Sequence, residues 1–247
     1  MKRNQFFSIL VGIIFSVAVV CGQMGAAHAQ SPGDNLMREN IPLPSPRQQS
    51  DTSVEETLHS RRSVREYKKE ALALAEIAQI VWAAQGINEE AGKSSAFSLR
   101  ARLRTAPSVG ALYPLEIYLV AGEVTGLEKG TYRYLPQQHY LTKVQEGDSR
   151  TSLARAALGQ RWVKNAPGVL VVSGIYERTR VKYGDRAERY VLMEAGAVIQ
   201  NVYLQAVSLG LGTVVVGAFN DQEVRTVLDL PKGEYPLALM PLGKRRE

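Results

Sequence analysis

The sequence Ser60-Arg61-Arg62-Ser63-Val64-Arg65-Glu66-Tyr67 brings three guanidinium groups and two serine hydroxyls into eight residues. Arginine suits bidentate contact with phosphate, because its planar fork matches two oxygens and it stays charged when partly buried. The stretch follows a short amphipathic segment, so it also fits the solvated basic end of a helix, which is the commoner role of a charge cluster. It therefore predicts an anion site that the rest of the chain has to support.

The first 29 residues have the pattern of a secretory signal peptide. Lys2 and Arg3 precede an apolar run, Phe6 to Val20, and Ala27-His28-Ala29 is a small-x-small cleavage site. The run is shorter than the roughly 20 residues of a spanning helix, so we expect cleavage after Ala29 and no stable membrane anchor. This pattern predicts an exported protein, periplasmic or extracellular.

Residues 30–51 are rich in Pro, Ser, Asn and Gln, a composition typical of a flexible tether because it cannot form a packed element. Residues 52–247 are long enough for one domain with a sizeable core. The sequence contains no internal repeat. We therefore expect a leader, a tether and a single folded domain.

The charge balance suits an anionic ligand. The chain has 30 Lys and Arg against 24 Asp and Glu, and loss of Lys2 and Arg3 with the leader leaves a net charge of +4. Nucleic-acid binding normally needs a denser basic surface with stacking aromatics. Cys21 leaves with the leader, so no disulfide or thiolate site is expected. His59 and His139 are too scattered to predict a metal centre.

Periodicity and turn residues predict a mixed order of helices and strands. A capping-box pattern at Ser53 and Glu56 starts the first helix, and apolar residues at helical spacing over residues 187–209 predict a long core helix. The predicted helices are 53–59, 72–85, 151–158, 187–209 and one from 220 or 221 to 228. The predicted strands are 116–121, 132–135, 140–144, 168–174 and 213–216.

Two further stretches could carry chemistry. Residues 106–114 are small residues and prolines before a strand, which fits either a plain turn or a backbone that approaches a ligand. Residues 178–186 are basic and include Lys182 and Tyr183, which exchange protons when their pKa is shifted, although solvated loop residues are the commoner interpretation. No nucleophile motif, Walker loop, GxGxxG turn or metal-ligand spacing is present. Together the patterns favour a phosphate-bearing cofactor without identifying it.

Arg61 to Tyr67 resembles the opening signature of the nitroreductase superfamily of flavoproteins. The resemblance continues in Pro107-Ser108, in Gly210-Leu211-Gly212-Thr213 leading to Gly217-Ala218-Phe219, and in the closing Pro-Leu-Gly-Lys-Arg. It runs in order from Thr52 to Arg246. The stretches around Ser108 and around Lys182-Tyr183 are similar to the SagB-type branch, which includes azoline oxidases of thiazole and oxazole peptide biosynthesis.

The resemblance implies an α+β fold with a mostly antiparallel central sheet flanked by helices, and a homodimer that binds FMN at the subunit interface. It assigns the phosphate and ribityl chain to Arg61 and Ser63, and the flavin N1 and C2 carbonyl region to Arg65. The remaining cofactor-binding residues that it implies are Arg62, Pro107, Ser108, Gly217, Ala218, Lys244 and Arg245. It gives Arg62 no distinct role, and it sets Ser108 at the ribityl or ring edge and the backbone of Gly217 and Ala218 at N5.

The resemblance implies an FMN-dependent oxidoreductase of SagB type that transfers hydride between flavin N5 and a small organic substrate. It makes Lys182 and Tyr183 the pair that assists proton removal. Two alternatives stay open: an NAD(P)H-dependent nitroreductase and a non-catalytic flavin-binding protein. An exported enzyme has no obvious NADPH pool, which favours electron transfer to oxygen, a quinone or a partner.

Overall fold

The structure, a computed structural model, describes residues 40–89 and 103–246, without the side chain of Glu89. The predicted signal peptide and the first part of the predicted tether lie outside the described residues. The strands are β1 (Asn40–Pro42), β2 (Leu72–Ala73), β3 (Ile87–Glu89), β4 (Leu103–Arg104), β5 (Leu115–Ala121), β6 (Val124–Thr125), β7 (Gly130–Leu135), β8 (Tyr140–Glu146), β9 (Gly168–Gly174), β10 (Leu211–Thr213) and β11 (Tyr235–Lys244). The α-helices are α1 (Val54–Ser60), α2 (Leu74–Gln85), α3 (Arg150–Ala156), α4 (Arg161–Asn165), α5 (Tyr176–Tyr183), α6 (Ala187–Ser208) and α7 (Asp221–Val227).

The main sheet has seven strands in the order β1-β8-β7-β5-β9-β11-β10, and every neighbouring pair is antiparallel. Its centre is buried on both faces because alternate residues of the central strands meet different helices. In β5, Leu119 packs in the layer of α2 and α6, whereas Val120 packs in the layer of α3, α4 and α7. The predicted α+β class, with an antiparallel sheet between helices, is confirmed.

Most predicted elements are confirmed within one to three residues at each end. Ser53 caps α1 by accepting a hydrogen bond from the amide of Glu56 at 3.0 Å, and Asn220 caps α7 in the same way through Glu223. Helix α6 is the predicted core helix, with Val191, Val198 and Val202 fully buried. These elements were predictable because local signals and burial agree.

Four predictions differ from the structure. The tether does not extend to residue 51, because Asn40–Pro42 pair with β8 and Leu43 is buried beside them. The basic stretch 178–186 is helical, covering the end of α5 and a 3-10 turn; its Thr179 is buried, Arg178 pairs with Glu116, and its other charged side chains are exposed. Strand β10 ends at Thr213, after which only Val216 bridges to β11. Leu192, predicted on the core stripe of α6, is 49% exposed.

In the part of the chain that the structure describes, helices long and apolar enough to cross a membrane do not occur.

Candidate functional site

The predicted anion-binding segment lies along the edge of the main sheet. The amide of Val64 donates to the carbonyl of Thr213 in β10 at 2.9 Å, and the amide of Lys68 donates to the carbonyl of Lys244 in β11 at 3.0 Å. The segment can approach the strand this closely because residue 212 is a glycine: a Cβ there would lie 2.5 Å from Val64 Cγ1. The sheet therefore fixes the backbone from which the basic side chains project.

Arg61 and Ser63 meet at one aromatic side chain. The Arg61 guanidinium stacks 4.9 Å from the ring centroid of Tyr203 in α6, and the Ser63 hydroxyl lies 3.3 Å from the Tyr203 hydroxyl. The Tyr203 hydroxyl also accepts a hydrogen bond from the amide of Val215 at 2.8 Å. Nearby, the Thr213 hydroxyl is buried and has no hydrogen-bond partner among the described residues. The Arg61 guanidinium and the Ser63 hydroxyl therefore both lie at Tyr203 and can still form hydrogen bonds with a ligand.

Two residues of the predicted cofactor set are engaged elsewhere. Arg62 donates through Nη1 to the carbonyls of His59 and Arg61, both at 2.8 Å, so it satisfies the C-terminal end of α1. Lys244 forms an ion pair with Glu76 in the first turn of α2. Arg62 thus stabilises the end of α1, and the Lys244 ammonium is paired with the Glu76 carboxylate.

Arg65 faces a basic groove. Its guanidinium lies 5.4 Å from the ring centroid of Trp162 in α4. The groove has a volume of about 590 Å³. Its lining residues are Arg65, Glu66, Tyr67, Lys68, Lys69, Arg161, Trp162, Asn165 and Arg246. Arg245 does not line the groove; its side chain passes close to Gly212.

Gly217 and Ala218 lie in an exposed turn after β10. A Cβ on Gly217 would meet no atom within 4 Å, so open space adjoins its backbone. The carbonyl of Ala218 accepts from the side-chain amide of Gln160 at 2.8 Å, which ties the turn to the start of α4. The backbone at these two residues can therefore be approached by a ligand.

Pro107 and Ser108 begin a second group, in the loop before β5. The Ser108 hydroxyl accepts from the amide of Tyr113 at 2.9 Å and closes the loop on itself. Between them Gly110 has a φ of 64°, a left-handed conformation in which glycine is favoured. A Cβ at Gly110 would lie 3.0 Å from Lys182 Nζ and 2.7 Å from Tyr183 Oη. The predicted catalytic pair thus converges on the loop that carries Ser108.

The two groups are separate within one chain. Each group has a neighbour on α6. The Tyr203 hydroxyl lies 3.3 Å from the Ser63 hydroxyl, and Glu194, whose pKa is affected by Ser108, is nine residues before Tyr203. At 1.5 Å per residue they are about 13 Å apart along the helix axis. The structure therefore brings Arg61 and Ser63 together, and Ser108, Lys182 and Tyr183 together, but it does not join the two sets.

Sequence reasoning missed several residues of both groups. Glu194 is 4% exposed, and burial raises its pKa to about 7 against smaller opposing effects from Ser108, Gln85 and Arg104. The sequence does contain a sign of it: Glu194 is an acidic residue three positions after Val191, on the apolar face of α6. Tyr203 follows nine residues later, about half a turn around the helix from Glu194, and it is also buried. Trp162 gave no sequence signal, since it meets Arg65 only through the tertiary fold.

Other charged contacts support the Ser108 loop. Glu116 in β5 is buried and pairs with Arg178 at 2.6 Å and with Arg133 at 2.9 Å. Arg178 in turn donates through Nη1 to the carbonyl of Tyr113 at 3.0 Å. The described residues contain no cluster of His, Cys, Asp and Glu that could hold a metal ion.

The fold, an antiparallel sheet between helices with a basic segment docked on its edge, is of the nitroreductase type. The chain belongs to the nitroreductase family, whose model matches residues 58–244. Members of this family are generally flavin-dependent oxidoreductases.

Individual relatives agree with the family. The chain is 47% identical over 194 residues to a Methanocaldococcus jannaschii protein that bears a nitroreductase name, covering 78% of this chain and 92% of that one. It is 32% identical over 132 residues to the microcin B17-processing protein McbC of Escherichia coli, covering 51% of this chain and 48% of McbC. It is 31% identical over 121 residues to an FMN reductase [NAD(P)H] of Bacillus subtilis, covering 43% of this chain and 49% of the reductase.

A solved structure from Anabaena variabilis, also bearing a nitroreductase name, superposes with a TM-score of 0.72 at 29% identity. The match covers 85% of this chain and 42% of that chain. The chain spans about half the length of McbC and of the Bacillus reductase, and most of the length of the archaeal relative.

Proposed function

We propose that the protein is an FMN-dependent oxidoreductase of SagB type that transfers hydride between flavin N5 and a small organic substrate. The observation that carries this proposal is the convergence of Lys182 Nζ and Tyr183 Oη on Gly110, two residues after Ser108. A lysine in its neutral amine form can accept a proton, and a phenol beside it can donate or relay one. A substrate dehydrogenase needs such a site, since hydride removal from a substrate leaves a proton to be taken up.

The residues of the sheet edge fit FMN. Arg61 and Ser63 offer charge-assisted and neutral hydrogen bonds to a phosphate and a ribityl chain. Gly217 leaves its backbone open, and the buried Thr213 hydroxyl has an unused hydrogen-bonding capacity among the described residues. FMN would supply a two-electron hydride acceptor there. A cation such as Arg65 near the ring raises a flavin's reduction potential by stabilising the anionic reduced form.

The proposed division of labour follows from these positions. Arg61 and Ser63 bind and orient the cofactor, while Lys182, in its neutral amine form, accepts the substrate proton as the hydride departs and the Tyr183 hydroxyl assists beside it. Each turnover then requires an electron acceptor, for which we propose oxygen, a quinone or a protein partner. The export predicted from residues 1–29 supports this choice, because NADPH is confined to the cell interior.

The homodimer is part of the same proposal. The Ser63 group and the Ser108 group are about 13 Å apart along α6 in one chain, and a second copy that supplied one of them would let both contact one cofactor without spanning that distance. Exposed apolar side chains on α5 and α6 support such pairing: Val181 is 76% exposed and Met193 is 62% exposed. A symmetric pair would create two equivalent sites.

An NAD(P)H-dependent nitroreductase is the second candidate. The observation in its favour is the resemblance to the Bacillus FMN reductase, whose name specifies NAD(P)H as donor. McbC, named for microcin B17 processing, supports the SagB-type proposal to a similar extent. The family assignment fits both.

The experiment starts with the absorbance spectrum of the purified protein and identification of the flavin released on denaturation. A colourless protein that ignores added FMN would overturn the proposal. With flavin bound, anaerobic stopped-flow reduction by NADPH separates the candidates: reduction as fast as turnover supports the nitroreductase. Lys182→Ala and Tyr183→Phe proteins should keep FMN and lose substrate dehydrogenation. If the unchanged protein and both variants bind flavin equally and none has measurable activity, the protein is a flavin-binding protein and not an enzyme of this type.

A further inference from the structure

Helix α5 meets the loop that precedes β5, residues 108–113, at two places. In the first half of the helix, Arg178 donates through Nη1 to the carbonyl of Tyr113 at 3.0 Å. At its end, the Lys182-Tyr183 pair lies against Gly110. Arg178 precedes Lys182 by four residues, about 6 Å or one turn, so both lie on the helix face that meets the loop. A contact at Arg178 therefore affects where the pair lies relative to the loop.

The loop has a backbone conformation that its surroundings must hold in place. Ala111 and Tyr113 have φ values of 54° and 47°, in the left-handed region that is unfavourable for residues other than glycine. Within the loop, Ser108 accepts from both: its carbonyl from the Ala111 amide at 3.1 Å and its hydroxyl from the Tyr113 amide at 2.9 Å. Arg178 adds a hydrogen bond from outside the loop, on the carbonyl of Tyr113 itself.

Arg178 is itself held by a buried carboxylate. Glu116 in β5 is 8% exposed, and its Oε1 lies 2.6 Å from Arg178 Nη2. Its Oε2 pairs with Arg133 in β7, 2.9 Å from Nη2 and 3.1 Å from Nε. Each arginine thus takes one oxygen of Glu116. Arg178 uses its second terminal nitrogen for the Tyr113 carbonyl, which the planar fork of a guanidinium allows.

Stability alone does not account for these buried charges. Replacing a buried ion pair or triad by apolar side chains of similar volume is often neutral or stabilising, because removing charges from water is costly. Apolar side chains could not direct a donor at the Tyr113 carbonyl. The Glu116-Arg178 pair does so from the central sheet, which is the most rigidly packed part of the fold around this loop.

We propose that Arg178, held by Glu116, is a positioning residue of the candidate site. By fixing the 108–113 loop to α5 it keeps the Lys182-Tyr183 pair beside Gly110. The catalytic use of that pair rests on the proposed function. The contacts themselves need neither cofactor nor substrate, because they all lie within the chain.

Hydrogen exchange of the apo protein measures how firmly the loop is held. In an Arg178→Met protein, we expect the amides of Ala111 and Tyr113 to exchange about ten- to a hundredfold faster, the effect of losing a hydrogen bond from a charged donor in a locally opening segment. Arg133→Met is the matched control, since Arg133 binds the other oxygen of the same carboxylate. It should change the two loop amides only as much as it changes amides of β9, which report opening of the whole sheet.

Glu116→Gln tests the same route with a substitution that keeps the shape of the side chain. Because an amide binds a guanidinium more weakly than a carboxylate does, the two loop amides should exchange faster by a smaller factor. Added to Arg178→Met, it should accelerate them no further, since its effect on the loop passes through Arg178. Additive effects would overturn the proposal, as would equal acceleration by Arg178→Met and Arg133→Met or unchanged exchange in Arg178→Met.

Fluorine NMR follows the pair itself. With 3-fluorotyrosine in place of Tyr183 in the apo protein, Arg178→Met should move the resonance towards its position in the unfolded chain, and Arg133→Met should leave it in place. A resonance that Arg178→Met does not move would show that the phenol is positioned without Arg178 and would overturn the proposal. If the loop and the resonance respond as expected while the protein ignores FMN, the proposed function fails and the positioning role stands.

Discussion

Arg61 and Arg62 are neighbours that perform different tasks because the chain turns between them. Arg61 stacks on Tyr203 beside Ser63, whereas Arg62 folds back onto the carbonyls at the end of α1. For Arg61→Ala, we expect FMN to bind about ten- to a hundredfold more weakly, because a hydrogen bond to a charged group contributes about 1.5–3 kcal/mol. Fluorescence titration of the apo protein with FMN measures this.

Arg155→Ala is the matched control for Arg61, because it removes an exposed arginine from α3, on the other face of the sheet. It should bind FMN as the unchanged protein does. Equal weakening by the two substitutions would show that only the overall positive charge matters and would contradict a specific phosphate contact at Arg61.

Glu194 also predicts how stability depends on pH. Burial raises its pKa from 4.5 to about 7, against the weaker influence of Ser108, Gln85 and Arg104; Tyr113 also faces it. Below pH 4.5 the carboxyl is protonated in both the folded and the unfolded protein. As pH rises to about 7 the unfolded chain ionises first, so the folded state loses stability, by about 3 kcal/mol at 1.36 kcal/mol per pKa unit.

Urea unfolding at a series of pH values from 5 to 8 measures this loss. The difference in unfolding free energy between the unchanged protein and Glu194→Gln isolates the carboxyl, since all other groups titrate in both. We expect the difference to move in favour of the glutamine protein as pH rises across this window. A difference that stays constant would mean that Glu194 ionises at its ordinary pKa.

At the level of elements, the edge of the sheet determines where the basic segment lies. Gly212 in β10 leaves room for Val64, and a Cβ there would lie 2.5 Å from Val64 Cγ1 and 2.7 Å from Val64 Cβ. Gly212→Ala should therefore push the segment outward, destabilise the fold by about 1–3 kcal/mol and weaken FMN binding. Thermal unfolding and FMN titration report the two effects.

A second substitution checks the cause. Val64→Gly removes both Val64 atoms that Gly212→Ala would meet, Cγ1 and Cβ, so the double variant should recover a large part of the FMN affinity lost in the single one. Failure to recover would indicate that the methyl group added at Gly212 acts through its other neighbour, Arg245, whose Cγ would lie 3.2 Å from it.

The elements that the sequence predicted well are those whose local signals coincide with burial. The caps at Ser53 and Asn220 and the apolar strand β9 show this, because each signal lies within a few residues. Helix α5 was missed because four of its eight residues are charged, and only its packing on α6 and the burial of Thr179 reveal it. Edge strand β1 was missed because three residues are stabilised by a partner about a hundred residues away.

The candidate site was predictable in composition and less so in arrangement. Arg61, Ser63, Ser108 and the Lys182-Tyr183 pair were predicted from the sequence and its family resemblance. Their partners, Tyr203 and Glu194, lie at positions where periodicity indicates only core packing. Contacts of this kind depend on which helix face meets which loop, and that is decided by the whole sheet.

At the scale of the whole molecule, the separation of the two groups along α6 predicts that function depends on a second chain. Met193 and Val181 expose apolar surface on α6 and α5, and removing such surface from water is favourable. Met193→Lys should therefore convert a dimer into monomers, measured by sedimentation equilibrium, and should weaken FMN binding at the same time. Leu158→Lys, which changes a leucine that is 70% exposed after α3, is the control and should leave both properties intact.

A cofactor site shared between two chains differs from simple dimerisation because FMN binding and the oligomeric state must then change together. If the cofactor contacts Ser63 of one chain and Ser108 of another, FMN binding must depend on protein concentration in step with dimer formation, and FMN must in turn stabilise the dimer. Full FMN affinity in a Met193→Lys monomer would show that one chain holds the cofactor unaided. The cofactor itself would then have to span the separation of roughly 13 Å between the two groups, the length of nine helical residues, or the chain would have to move to close it.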